Sequence, residues 1–173
     1  MCILEPMKID LKGLKEGLTE FQFGLDDGFF KMVDAQEVNH GTVQVTLSVQ
    51  RTADVFTLDF HTEGTVEIPC DLCLDDMEQP IAADSRMMAK FGDDETEEDE
   101  VTVVPESDGV LDVSWFIYES IALAIPIKHV HAPGKCNVAM TKKLEELSAA
   151  RSSDGEDEEL VDPRWEALKQ LKV

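Results

Sequence analysis

A chain of 173 residues with 43% hydrophobic side chains is long enough to bury the core of one domain, and too apolar to be intrinsically disordered. Its 37 acidic residues against 15 basic ones leave a net charge of −22. Such a surface is a poor phosphate binder, because non-specific nucleic-acid affinity comes from Lys and Arg, and it disfavours anionic membranes. A basic protein partner, or solubility alone, suits the charge better.

The opening Met1-Cys2-Ile3-Leu4-Glu5-Pro6 lacks the basic and apolar regions of a signal peptide. The longest apolar run, residues 115–127, is interrupted by Glu119 and Ser120 and is too short to span a bilayer. The chain therefore reads as cytoplasmic, with no membrane role. In that compartment its four cysteines point to a metal or to reactive thiols rather than to disulfides.

Residues 7–11 alternate apolar and polar, the period of a half-buried strand, and Gly13 and Gly17 punctuate a turn. Phe21, Phe23 and Leu25 alternate again. Asp26-Asp27 predicts the cap of a short helical turn that carries Phe29, Phe30 and Val33 inward. The clearest strand follows, with Val43, Val45, Leu47 and Val49 on one face and Thr42, Gln44, Thr46, Ser48 and Gln50 on the other. Residues 55–60 read as its antiparallel neighbour across a hairpin at 51–54. Gly64 breaks that run, residues 65–69 resume it into Cys70-Asp71-Leu72-Cys73, and residues 80–91 give another extended stretch.

Residues 92–100 hold seven acids and no basic or large apolar side chain, so they read as a solvated loop. A short strand over 101–104 precedes the clearest helix, whose Trp115, Phe116, Ile117, Ile121 and Leu123 are apolar nearly all round. Such a helix is expected to be largely buried, with Asp112 or Ser114 as its N-cap and Ile125-Pro126 as its stop. Residues 140–150 are helix-compatible. An acidic linker spans 151–161, and Asp162-Pro163 starts a short amphipathic helix whose Trp165, Leu168 and Leu171 share one face. Too short to be stable alone, this helix docks on something, and these three side chains are its candidate partner-binding residues. The expected architecture is α+β: one domain over 1–150 built on an antiparallel meander with a buried helix and a knuckle-like Cys-x-x-Cys loop, then the linker, then a docking helix over 162–173.

Zinc favours tetrahedral Cys and His sites whose ligands come in closely spaced pairs on turns. Cys70 and Cys73 supply one pair; His131 and Cys136, on the two arms of a loop turned by Pro133-Gly134, supply a second. His129 competes with His131 for the same role. Structural zinc ranks ahead of reduced free thiols, and both rank ahead of a redox dithiol. A redox pair needs a helix after its first cysteine, and the acids around this one oppose thiolate formation. No catalytic residue is singled out: no general base, phosphate-cradling loop or nucleophile elbow is present.

The order Gly64-x-Val66-x-x-x-Cys70-Asp71-x-Cys73-Leu74, an acidic loop, Leu111-Asp112-x-Ser114 and a Glu-bearing helix ending in Ile125-Pro126-Ile127 resembles the YceD-type family. That family is also called the large ribosomal RNA subunit accumulation protein family, and the likeness runs from about Ile9 to the C-terminus. The closing Asp162-Pro163-Arg164-Trp165 resembles the ending of one branch. The resemblance implies a bacterial cytoplasmic factor needed for normal accumulation of large-subunit (23S) ribosomal RNA. It also implies a second cysteine cluster after the Ile-Pro-Ile segment. His131 stands where the first cysteine of that cluster falls, and Cys136 matches the next after one extra residue. A further cysteine of many members is missing, which leaves a Cys3His set.

The expected function is a non-enzymatic ribosome-biogenesis factor that binds a basic ribosomal protein or a large-subunit assembly intermediate. Direct RNA contact is left open, and no small-molecule substrate is expected. The alternatives are a thiol-disulfide oxidoreductase using Cys70 and Cys73, or a zinc-stabilised protein-interaction module unrelated to ribosomes.

Overall fold

Strict alternation of apolar and polar side chains over long runs dictates the architecture. In the computed structural model, which describes residues 7–38, 40–92 and 101–147, the strands are β1 (Lys8–Asp10), β2 (Gly17–Leu25), β3 (His40–Thr52), β4 (Val55–Pro69), β5 (Asp76–Phe91), β6 (Val101–Val104) and β7 (Val110–Asp112). The helices are α1 (Asp27–Met32), α2 (Ser114–Ala124) and α3 (Val138–Leu147). The chain forms two compact units, Met1–Asn137 and Val138–Val173. Within the second, α3 has no buried residue. The expected acidic loop, the linker at 151–161 and the helix carrying Trp165, Leu168 and Leu171 fall wholly or almost wholly outside the described residues.

The first unit is α+β, as its patterning predicts. Strands β2-β3-β4-β5-β6 form one sheet, antiparallel through β5. The strand expected over 101–104 joins it parallel to β5, so the meander ends in a mixed edge. β1 and β7 make a separate antiparallel ribbon. Across the sheet Phe23, Val45 and Thr62 stand in register, as do Phe21, Leu47 and Phe60. One face of each central strand is therefore mainly apolar, with Thr62 buried among it, and burial of that face is the main stabilising term. Opposite it pack Met7, Ile9 and Leu11 from β1 and its ends, Leu111 and Val113 around β7, and Ile117 and Ile121 of α2. The Phe60 and Phe116 rings meet at 4.9 Å.

α1 forms as its sequence predicts. The Asp26 carboxylate accepts from the backbone N–H of Gly28 at 2.8 Å and caps the helix, while Phe29 and Phe30 bury edge to face at 5.4 Å. α2 departs from expectation in two ways. Its N-cap is Val113, with no side-chain cap, although Asp112 still accepts from the Ser114 N–H at 2.9 Å. Ser114 is instead drawn into the core boundary, where its hydroxyl accepts from Met7 N–H. Nor is the helix buried all round: Ile117 and Ile121 face the core while Trp115 and Leu123 are exposed. One sheet face offers cover for only one side of a helix.

Gly64 does not break β4; the strand runs straight through it, paired with Val43 and Ile81. Its role is close approach. A Cβ there would lie 2.4 Å from the Thr42 carbonyl oxygen and 2.6 Å from Val43 Cα, both backbone atoms of the neighbouring strand. The following strand begins at Asp76, earlier than expected, and includes Pro80. β6 pairs only with Met88–Phe91, so Pro80 sits where β5 is the sheet edge and a missing N–H is tolerated. Gly64→Ala is expected to lower stability by about 2 kcal/mol, since neither backbone atom can yield cheaply. A urea midpoint equal to wild type would contradict that packing.

Candidate metal centre

The continuous pairing of β4 with β5 ends at Pro69 opposite Asp76, and the loop between them carries the first cysteine pair. The loop closes on itself: Cys70 N–H donates to the Asp75 carbonyl at 2.9 Å, and Leu74 N–H donates to the Cys70 carbonyl at 2.9 Å. Leu74 takes a positive φ of 62° to complete the turn. The Cys70 and Cys73 side chains point inward and are 0% and 2% exposed.

The second pair arrives on residues 126–137, after Ile125 caps α2 and Pro126 prevents its continuation. Asp71 binds this segment at both backbone groups of one residue. Its N–H donates to the His129 carbonyl at 3.0 Å, and its carboxylate accepts from the His129 N–H at 2.8 Å. The His129 ring donates from Nδ1 to the Pro126 carbonyl, and its Nε2 lies 3.4 Å from the Asp71 carboxylate. His129 is thus a positioning residue outside the cluster. An extended backbone would have put both histidines on one side, but here the His129 ring is engaged by Pro126 and Asp71 while the His131 ring faces the cysteine sulfurs. Lys135 N–H then donates to the Ala132 carbonyl, and Gly134 at φ 80° turns the chain so that Cys136 comes back toward His131.

Cys70, Cys73, His131 and Cys136 each offer one ligand atom, and the four atoms lie within 4.8 Å of one another. Cys70 Sγ is 3.9 Å from Cys136 Sγ; His131 Nδ1 is 3.4 Å from Cys73 Sγ and 3.9 Å from Cys136 Sγ. A tetrahedral zinc with Zn–S bonds of about 2.3 Å and Zn–N bonds of about 2.0 Å sets ligand–ligand edges of about 3.6–3.8 Å. The spacing therefore fits a tetrahedral cation, whereas a disulfide needs its sulfurs at about 2.05 Å. All four protein ligands are supplied, as in a closed structural site.

The electrostatics divide the cluster. Burial pushes the Cys70 thiol up, but the backbone N–H groups of Cys73, His131 and Leu72 together with the His131 ring outweigh it, bringing the thiol down to about 6. Groups of both loops thus favour a thiolate at Cys70, contrary to what the surrounding acids suggest from sequence alone. Burial, then the nearby Cys70 and Cys73 sulfurs, push Cys136 up to about 11. A bound cation would remove that repulsion and ionise every thiol it touched.

The fold and cluster together define an α+β protein with a Cys3His knuckle at one end of its sheet. A family model described as "Large ribosomal RNA subunit accumulation protein YceD" matches residues 58–172, more than half of the chain and both ligand pairs. The chain belongs to that family. The match begins within β4, so the resemblance noted upstream of it, in β1 to β3, lies outside the matched residues. No curated protein and no solved structure matches the chain. Among the described residues no helix is long and apolar enough to cross a membrane.

In metal-free protein, thiolate absorbance is expected to rise in one step near pH 6, lost in Cys70→Ser, and in another near pH 11, lost in Cys136→Ser. Because the folded Cys70 value is depressed, its contribution to stability is complete above the unfolded thiol value of 9.0 and disappears as pH falls through about 6. The urea midpoint of wild type minus that of Cys70→Ser should therefore grow as pH rises from below 6 toward 9. A difference that stays flat with pH would show that the knuckle N–H groups do not stabilise the thiolate.

Proposed function

We propose that this chain is a non-enzymatic bacterial ribosome-biogenesis factor, acting in the cytoplasm, that supports accumulation of 23S ribosomal RNA. It does so by binding a basic ribosomal protein or a large-subunit assembly intermediate. Family membership over residues 58–172 carries the reading. The net charge of −22 supports a basic protein as the direct partner, since bare RNA would be repelled. In this reading Cys70, Cys73, His131 and Cys136 hold one structural zinc, and no residue is catalytic.

One observation favours the oxidoreductase alternative: a cysteine of a Cys-x-x-Cys pair has its pKa lowered to about 6. Other features weigh against it. Both cysteines are buried, the residues after Cys70 form a tight turn rather than a helix, and the cluster contains two further ligand atoms. A thiol that attacks an external disulfide must be accessible to it.

Sucrose-gradient profiles and 23S RNA levels in a strain lacking the protein test the main reading. The expected result is a deficit of large subunits relative to small ones; unchanged particles and RNA would overturn it. Elemental analysis of protein purified without chelator should find about one zinc per chain, and Cys73→Ser should bind far less. Equal stability of wild type and variant with neither binding metal would remove the zinc assignment and leave the ribosomal one standing.

A further inference from the structure

We infer that the two loops joined at the Cys3His cluster form the docking surface for a basic protein segment with apolar anchors, with Leu72, Leu74, Leu123 and Ile127 as the contact residues. The inference rests on the proposed ribosomal role and names the surface that would serve it.

Exposed leucines scattered singly need no explanation, but these four are gathered on connected elements. Leu72 and Leu74 stand on the knuckle, 44% and 68% exposed; Leu123 and Ile127 stand at the end of α2 and just beyond it, 87% and 104% exposed. The bonds between Asp71 and His129 and the ligand cluster itself tie the two loops together. None of the four side chains contributes to the core.

Leu74 is the most telling. At φ 62° a leucine pays a steric cost that glycine would not, and such a conformation in a bulky residue is unusual. The cost is not offset by burial, since the side chain lies mostly in solvent. A leucine kept where the backbone favours glycine, and where the core gains nothing, fits a side chain used for contact with another molecule.

The charge around the patch selects the occupant. Between Cys70 and Glu78 the chain carries Asp71, Asp75, Asp76 and Glu78 and no basic residue, and Glu119 is exposed on α2; the second loop brings only Lys128 and Lys135 against these five acids. Apolar side chains beside a predominantly acidic knuckle and helix face complement a segment in which leucine- or phenylalanine-like anchors lie among lysines and arginines. An anionic membrane or nucleic acid would meet the same acids unfavourably.

The test uses the full chain with its metal, and as probe the mixed basic proteins extracted from purified large ribosomal subunits. A photo-crosslinking amino acid is placed at Leu74, at Ile127, or at Gln50 on the outward sheet face. Crosslinks to one or a few of these basic proteins are expected from the first two sites and not from the third. Leu74→Gly, and separately Leu123→Glu with Ile127→Glu, should weaken binding at least tenfold. The melting temperature of Leu74→Gly should be unchanged or raised, which separates lost contact from lost folding. If wild type and both variants capture the same protein equally, the surface is wrong and the ribosomal reading stands. If wild type captures none of the probe, the partner reading fails and this inference falls with it. Crosslinks to a second copy, or to residues 148–173 of the same chain, would assign the patch to self-association and overturn the proposal.

Discussion

Three sulfurs and one imidazole nitrogen converge within 4.8 Å, and the end of the sheet is arranged around that convergence. As thiolates they would repel one another; as thiols they would leave weak donors and acceptors in a mostly dry space. A divalent cation resolves both problems. The segment that brings His131 and Cys136 makes the need plainer. No residue from 126 to 137 is buried, so hydrophobic burial cannot hold this stretch in place. Its connections to the knuckle include the Asp71 bonds to His129, a hydrogen bond from the Asn137 side-chain amide to the Asp75 carboxylate at 3.1 Å, and the cluster. Exposed hydrogen bonds of this kind contribute little net free energy each. The cluster is where substantial energy can enter.

The opposite face of the sheet shows what the acidic surplus does away from that site. Arg86 pairs with Asp59, and His61 lies between Asp84 at 2.6 Å and Glu63 at 3.1 Å. The hydrogen bond to Asp84, then that to Glu63, raises the His61 pKa above its ordinary value. These exposed pairs stabilise little. Their consequence is that Arg86, and His61 when protonated, are already matched to carboxylates that a phosphate backbone would have to displace. The charge thus filters partners more than it stabilises the fold.

Much of this was legible in the sequence, and the exceptions share a cause. The β3 face of Val43, Val45, Leu47 and Val49 could be read because a period of two has one interpretation. The Asp26 cap and the inward Phe29 and Phe30 were local features, readable for the same reason. That Cys70, Cys73 and Cys136 would come together with a histidine was legible from residue types and spacing. The choice between His131 and His129 was not, because it depends on Asp71, from a distant loop, engaging His129 at its backbone and ring. Gly64 was misjudged as a breaker because a glycine needed for close approach looks the same in sequence as one that ends a strand. The direction of β6 and the one-sided burial of α2 also depend on what packs beside each element. Where a neighbour made the decision, local pattern could not foresee it.

The two halves of the cluster are not equivalent, and that asymmetry bears on how the protein would assemble. The knuckle is the tip of a hairpin paired without interruption from Val55 to Pro69 on one strand, and its turn is closed by backbone bonds of its own. The N–H groups of Cys73 and Leu72 favour a thiolate at Cys70, and the His131 N–H and ring add to them from the other half. The His131 and Cys136 half lacks comparable support, and the raised Cys136 thiol is the group least ready to ionise. A metal would therefore meet the better-supported pair at the knuckle, and its bonds to His131 and Cys136 would tie residues 126–137 to it. That segment carries Ile127 and follows directly on Leu123. Loss of metal would accordingly spare the sheet, whose core lies along the strands, and disturb the end of α2 and the loop beside it. In this molecule the fold depends on the alternating strands, and a metal held by the Cys3His cluster would determine what the fold presents at one end.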